Sequence, residues 1–130
     1  MNLSMLLLRI TSVLFVAFGI GFVVAPQDLA ELMTDAAPSV PSAVTDMRAT
    51  YGGVALGIGL FIGYCARRAE TVRLGLLAAI SVIASLGTAR LIGIIIDGSP
   101  NAFMLVFLAT EVASLLLLVI ALRRIRTAAD

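Results

Sequence analysis

Residues 46–63, DMRATYGGVALGIGLFIG, decide how the rest of the chain is arranged. The stretch is apolar enough for a membrane helix, and it places a strip of glycines beside Arg48 at helical spacing. Small residues let two helix backbones approach closely in lipid. An arginine on the same face is costly in lipid, so we expect Arg48 to point into a helix bundle and to meet an acid there. The predicted packing residues are Gly52, Gly53, Gly57, Gly59 and Gly63.

The composition also indicates a membrane protein. The 130 residues are 61% hydrophobic and 13% charged, whereas soluble domains are about 45–50% apolar and about 25% charged. The net charge is only +1 and the arginines lie at the ends of apolar runs, so no basic face for nucleic acid can form. The chain has no His, and its single cysteine, Cys65, excludes an internal disulfide. We therefore predict neither a metal site nor a cofactor.

Four apolar runs are long enough to cross a bilayer, which takes about 20 residues. They cover approximately residues 3–25, 46–64, 74–96 and 102–122. This pattern predicts an all-α polytopic membrane protein, in which a bundle of four transmembrane helices forms a single domain over residues 1–130. The first run is too long for a signal peptide and ends in a poor cleavage site, so we expect a retained helix.

Residues 26–45, PQDLAELMTDAAPSVPSAVT, form the longest stretch between spans. Pro26 suits the first turn of a short helix, and Asp28 favours the positive end of that helix. An amphipathic segment of this kind is expected to lie at the membrane surface, and the alternative is a lid over the outer mouth of the bundle. We expect Pro38 and Pro41 to break the chain before the second span.

The arginines predict the orientation in the membrane. Basic residues in short loops mark the cytoplasmic side, and the first loop and the turn at residues 97–101 contain none. Both termini should therefore be cytoplasmic, in a multi-pass protein of the bacterial inner membrane. The residues interpreted as anchors are Arg9, Arg67, Arg68, Arg73, Arg123, Arg124 and Arg126.

Charged residues that do not serve as anchors predict a site in the outer half of the bundle. Glu111 lies ten residues after Asn101, and Arg90 lies seven residues before Asp97. At about 1.5 Å per residue both are well inside the bilayer, and we expect them to pair. Arg48 should then meet Asp46 or Asp97. The predicted ligand-binding residues are Asp46, Arg48, Tyr51, Arg90, Asp97 and Glu111.

A structural role is the alternative for each of these residues. The charged cluster would then only fix the register of the helices, at about 0.6 kcal/mol per polar pair. Tyr51 would be an interfacial aromatic residue. Asp46 and Asp97 would cap a helix end or lie in a solvated turn.

Taken together, these residues resemble a known family. The first run ends in G-x-G-x-x-x-x-P, from Gly19 to Pro26, and the second contains R-x-x-Y-G-G-x-x-L-G-x-G, from Arg48 to Gly59. With Arg90, the Asp-Gly turn and Glu111, the chain resembles the small bacterial membrane proteins of domain-of-unknown-function family 4345 over nearly its whole length. The resemblance implies a four-helix membrane bundle and no assigned activity. A looser similarity, in architecture alone, is to the DoxX-like proteins, some of which are accessory subunits of redox systems.

Several functions are compatible with a four-helix membrane bundle that contains a charged cluster. The first is a binding or accessory protein, in which a pocket holds a small amphipathic or anionic molecule such as a lipid head group or a quinone, with arginines on its anionic or carbonyl group. The others are a small proton-coupled transporter that uses Glu111, a purely structural bundle that self-associates through its glycines, and, ranked last, an enzyme. The expected partners are the lipid bilayer, a small amphipathic ligand, and a second copy or another membrane protein, with no nucleic acid.

Overall fold

A computed structural model describes the backbone of residues 3–127 and the side chains of residues 3–125. Within these residues the fold is all-α and contains no strand, as predicted. A π-helical segment, Arg48–Gly53 (π1), lies between the third and fourth α-helices. The α-helices are Leu3–Val24 (α1), Pro26–Thr34 (α2), Pro41–Met47 (α3), Val54–Cys65 (α4), Ala69–Asp97 (α5) and Ala102–Thr127 (α6).

Three helices, α1, α5 and α6, are long and apolar enough to cross a membrane. Most of their large apolar side chains face outward, and Leu14 and Ile96 are 63% and 74% exposed. A soluble helix of this length would bury such side chains against a core. The outward apolar surface is therefore what a helix in lipid requires.

Two helices extend beyond their predicted ends. The third span was expected to begin near residue 74, but α5 begins at Ala69, directly after the extended backbone of Arg68. Glu70 in the first turn suits the positive end of the helix. Likewise α6 continues to Thr127 rather than ending near residue 122. Hydropathy detects only the apolar part of a helix, so it misses turns built from charged residues.

The second predicted span is interrupted and begins earlier than expected. Pro41 was expected to break the chain, but it is the first residue of α3, where its missing N–H and fixed φ cost nothing. The backbone then continues through π1, in which the N–H of Val54 donates to the carbonyl of Ala49 five residues earlier. Arg48 lies seven residues after Pro41, beyond the first turn of this helical stretch.

Glycines bring α1 against π1 and α4. A Cβ atom added at Gly52 would lie 3.0 Å from the backbone nitrogen of Val23, and one at Gly59 would lie 2.8 Å from that of Val16. Because real Cβ atoms essentially never come within 3.0 Å of backbone, a side chain at Gly59 would force the helices apart, and one at Gly52 would lie at the limit of contact. The Gly52–Gly59 line is therefore the face of the second helical stretch that packs on α1.

The remaining predicted packing glycines behave differently from one another. A Cβ at Gly63 would lie 2.5 Å from the Ser12 hydroxyl, so this residue also contacts α1. Around Gly57 no atom lies within 4 Å of an added Cβ, and at Gly53 the nearest is a carbonyl of its own helix at 3.9 Å. Among the described residues, no neighbouring helix therefore lies against the Cβ side of Gly53 or Gly57, and the packing predicted for this pair is not observed.

The buried core lies at one end of the bundle. Leu8, Ile62, Leu76 and Leu118, one from each long helical stretch, are almost fully buried and pack together. The exposed Arg9, Arg73 and Arg123 lie within five residues of Leu8, Leu76 and Leu118 in sequence and so at the same end. The side chain of Arg126, another predicted anchor, lies outside the described residues. In the described part of α5 and α6, nothing after Ile83 and nothing before Leu118 is buried. At the opposite end, α5 and α6 therefore contribute no buried residue in their described part.

A hydrogen bond across the α1–α4 contact leads to a first prediction. Ser12 Oγ donates to the carbonyl of Gly59 at 2.7 Å. Ser12→Ala should lower the free energy of unfolding by about 0.6 kcal/mol, the average for such bonds between membrane helices. Cys65 is only 1% exposed, so its reaction with a thiol-reactive dye during heating in detergent reports unfolding.

Ser85→Ala is the matched control for Ser12→Ala. The hydroxyl of Ser85 donates to the carbonyl of Ser81 within its own helix, at 2.8 Å, and the residue is exposed. Its loss should leave the midpoint of unfolding unchanged. Equal shifts in the two variants would mean that the bond between the helices contributes nothing.

Candidate functional site

Arg90 of α5 and Glu111 of α6 form an ion pair. Arg90 Nε lies 3.1 Å from both carboxylate oxygens of Glu111, and Nη2 lies 2.8 Å from Oε1. The two side chains are 22% and 13% exposed, so the pair is partly shielded. A bidentate arginine–carboxylate pair is among the stronger hydrogen-bonded arrangements in proteins. The structure thus brings together the two residues that the sequence predicts as partners.

One face of α6 encloses the guanidinium of Arg90. Nη1 donates to the sulfur of Met104 at 3.3 Å, and Cζ lies 5.1 Å from the centroid of the Phe107 ring. Met104, Phe107 and Glu111 recur at intervals of three and four residues, which places them on the same side of the helix. The cation is therefore held by a carboxylate, a thioether and an aromatic face together.

The ion pair lies on the core-facing sides of its two helices. Arg90 follows the buried Ile83 by seven residues, and Glu111 precedes the buried Leu118 by seven. Residues seven apart share a helix face, so the pair continues the inward-facing stripes beyond the last buried layer. Charges replace apolar side chains there, at the level where the shared core ends.

A cleft of about 330 Å³ opens between the ion pair and the turn that joins α5 to α6. The C-terminal end of α2 forms one wall, through Thr34 and Asp35. Ile94 and Met104 supply apolar surface, while Arg90 supplies a charge. The other lining residues are Gly93, Asp97, Gly98, Ser99, Pro100 and Asn101.

The charge of the cleft is negative. Arg90 is neutralised by Glu111, whereas Asp35 and Asp97 line the cleft and are exposed. Two exposed carboxylates produce a local potential that attracts cations and repels anions. An anion bound through Arg90 would have to share its guanidinium with Glu111.

Asn101 joins two helix ends through one side-chain amide. Its Oδ1 accepts from the N–H of Met104 at 3.0 Å, which caps the N-terminus of α6. Its Nδ2 donates to the carbonyl of Met33 at 3.0 Å and to Oδ2 of Asp35 at 2.8 Å. Neither Asn101 nor Asp35 was among the predicted site residues. An Asn directly before a helix is a recognisable cap, but its contact with α2 has no signal in the sequence.

Arg48 does not join the charged cluster. Its Nη1 donates to the carbonyl of Val23 and, at 3.2 Å, to that of Val24. These are C-terminal carbonyls of α1, which have no partner within their own helix and carry partial negative charge. The expectation that Arg48 meets Asp46 or Asp97 is therefore wrong, because it caps the end of α1 instead.

Two other predicted residues lie with Arg48 rather than in the cleft. Tyr51 is 54% exposed and stacks on Phe22 of α1, with ring centroids 5.4 Å apart. Asp46 is exposed, and its backbone carbonyl accepts from the hydroxyl of Thr50 at 2.7 Å. Of the six predicted ligand-binding residues, only Arg90 and Asp97 line the cleft, and Glu111 contacts it through Arg90. Within the described residues, no group of side chains is arranged to hold a metal ion.

The fold and the cleft define a class: an all-helical protein with helices of membrane-spanning length and a charged cleft at one end. The chain belongs to the family described as "Domain of unknown function (DUF4345)", whose model matches residues 3–122, nearly the whole chain. The resemblance noted in the sequence is thereby confirmed. No curated protein and no solved structure matches the chain, so the looser similarity to the DoxX-like proteins is not shown.

Proposed function

We propose that the chain is a four-span membrane protein whose cleft binds the head group of a small amphipathic molecule. Besides α1, α5 and α6, the fourth span is the helical stretch formed by α3, π1 and α4. These segments contain 7, 6 and 12 residues and follow one another without a break. At about 1.5 Å per residue, this is long enough for a hydrocarbon core of about 30 Å.

The arrangement of charges supports an orientation for this bundle. The exposed arginines adjoin the buried core at one end, and the cleft lies at the other. By the positive-inside rule the arginine end is cytoplasmic, together with both termini, and the cleft opens on the outer face of a bacterial inner membrane. A molecule would then reach the cleft from outside or from the outer leaflet.

The cleft beside a partly shielded ion pair is the observation that carries the proposal. Its volume, about 330 Å³, falls at the small end of the range for ligand pockets, which is about 300–1,000 Å³. Its lining combines polar and charged groups with the apolar side chains of Ile94 and Met104. Such a mixed lining suits a molecule with a polar head and an apolar tail.

The lining favours a cationic head group over an anionic one. Arg90 already has Glu111 as its counter-ion, and Arg48 binds the end of α1. Asp35 and Asp97 line the cleft and are exposed, so their carboxylates are available to an ammonium group. This choice replaces the arginine-bound anion that the sequence alone suggests.

Two amphiphiles of equal chain length test the proposal. The purified protein is heated in neutral detergent with dodecylamine, which is cationic at neutral pH, or with dodecyl phosphate. We expect dodecylamine to raise the midpoint of unfolding more than dodecyl phosphate does, and native mass spectrometry to detect its complex. Asp97→Asn should weaken this binding, because it removes a carboxylate from the cleft.

Asp46→Asn is the matched control, since Asp46 is also an exposed aspartate but lies outside the cleft. It should leave the binding of dodecylamine unchanged. Equal binding of the two amphiphiles, or an equal loss in both variants, would contradict a cationic site in the cleft.

A structural role for the ion pair is the second candidate. The pair joins α5 and α6 in the half of the bundle where the described part of these helices has no buried core residue. A bidentate pair there would hold the helices together without any ligand. Proton transport by Glu111 has no such support, because both of its oxygens accept hydrogen bonds from Arg90.

A further inference from the structure

We infer that α2 is a lid over the cleft and that Asn101 is the latch that holds it closed. The inference rests on the proposed function, because it concerns access to the same cleft. Three features of α2 support the lid. The helix is attached at its two ends, its last residues form a wall of the cleft, and only a small part of it is buried.

The first turn of α2 is fixed to α1. Pro26 is buried, and Leu29 packs so closely on α1 that a Cβ added at Gly21 would lie 2.9 Å from its methyl group. Only Pro26 and Ala30 are buried in this helix. The rest of α2 is therefore attached through few apolar contacts, as expected of a segment that opens at low cost.

The last turn of α2 is attached to α6 through Asn101. Nδ2 of Asn101 binds the carbonyl of Met33 and the carboxylate of Asp35. Asp35 itself has left-handed backbone, with φ of 59°, and it directly follows Thr34 on the cleft wall. Breaking these two hydrogen bonds would release the wall while the first turn stays on α1. The movement would widen the mouth of the cleft.

Labelling of a cysteine inside the cleft measures this opening without any ligand. Gly93 lines the cleft, and a Cβ there would meet only Asp97 Oδ2, at 3.6 Å, so Gly93→Cys should fold normally. The rate at which a maleimide reacts with this cysteine is measured on the full chain in detergent. Cys65, which is 1% exposed, serves as the internal reference for unfolding.

Asn101→Asp breaks the latch and keeps the helix cap. Aspartate still accepts the hydrogen bond from the N–H of Met104, but it cannot donate to Met33, and it places a second carboxylate beside Asp35. We expect the cysteine at position 93 to react about tenfold faster in this background, the factor that corresponds to about 1.4 kcal/mol. Cys65 should remain protected.

Gln27→Glu is the matched control, because it also converts an amide to an acid. Gln27 Nε2 donates to the carbonyl of Pro38 and not to α6. The rate should not change in this variant. An unchanged rate in Asn101→Asp would overturn the lid, and so would an equal acceleration in Gln27→Glu.

Two further outcomes are distinguishable. If Asn101→Asp also exposes Cys65, the test uses Asp35→Ala instead, because this variant removes one latch bond and leaves the α6 cap intact. An unchanged labelling rate in Asp35→Ala would then overturn the lid. If the latch variants accelerate labelling but dodecylamine does not bind, the proposed function fails and the lid stands. If dodecylamine binds and labelling never changes, only the lid fails.

Discussion

Gly19→Ala should unfold at a markedly lower temperature than the wild-type protein. A Cβ at this position would lie 2.6 Å from the backbone nitrogen of Leu56 and 2.8 Å from the carbonyl oxygen of Gly52. Both atoms belong to backbone, which cannot rotate away as a side chain can. The two helices would have to separate along their closest contact.

The expected size of this effect follows from two opposing terms. Forcing a group into a well-packed contact costs about 1–3 kcal/mol, and here the contact is with backbone, which places it at the upper end of that range. Alanine is a better helix former than glycine, which returns up to about 1 kcal/mol. The net change should still be clearly destabilising, and Gly19→Val should destabilise further. The measurement is the midpoint of the Cys65 labelling transition during heating.

Gly57→Ala is the control that separates packing from helix propensity. No atom lies within 4 Å of the added Cβ, so only the propensity gain applies. We expect its midpoint to equal or exceed that of the wild-type protein. If the Gly19 and Gly57 variants melt at the same temperature, the close contact between α1 and α4 does not exist in the folded protein.

The sequence predicts those parts of the fold that are required in a lipid bilayer. A long apolar run has few alternatives to a helix in a bilayer, so α1, α5 and α6 are readable from hydropathy alone. The pairing of Arg90 with Glu111 can also be predicted from the sequence, because a bilayer disfavours unpaired charges. Each charge is expensive alone at that depth, and the spacing along the two helices brings them to one level.

The residues at which helices begin, and the groups that Arg48 binds, depend on local polar interactions. Hydropathy does not detect these interactions. Pro41 begins a helix among polar residues, and Arg48 is the first residue of π1. An acid is the partner that a sequence predicts for an arginine inside a membrane. The carbonyls at the C-terminal end of α1 can also accept hydrogen bonds from Arg48, but their position relative to Arg48 depends on tertiary structure.

The choice between two glycine lines depends equally on tertiary structure. Gly52 and Gly59 contact α1, whereas Gly53 and Gly57 do not, although both pairs are compatible with a small-residue motif. Spacing shows which residues share a face, but not which face meets a neighbour. The wider turn of π1 also shifts the residues before it relative to those after it. Asn101 was missed for a related reason, because its contact with α2 spans 68 residues of sequence.

Glu111→Leu should destabilise the protein more than Arg90→Leu does. The first substitution leaves a guanidinium that keeps its charge at any accessible pH, at a depth where a lone arginine costs about 2.5–3.5 kcal/mol. The second leaves a carboxylic acid side chain, which, unlike a guanidinium, has a neutral form that costs less to bury. The partial exposure of both side chains, 22% and 13%, reduces both effects. Arg73→Leu, which removes an exposed arginine at the other end of α5, should change the midpoint little.

The Arg90→Leu/Glu111→Leu double variant then separates a structural pair from a binding site. Removing both charges leaves no orphan, so stability should recover towards the wild-type value. If it recovers fully and dodecylamine still binds, the pair serves only to join α5 to α6. If the double variant folds but no longer binds dodecylamine, the pair forms part of the site, because Arg90 lines the cleft and Glu111 fixes its position. Single variants as stable as the wild-type protein would show that the two side chains do not interact in the membrane.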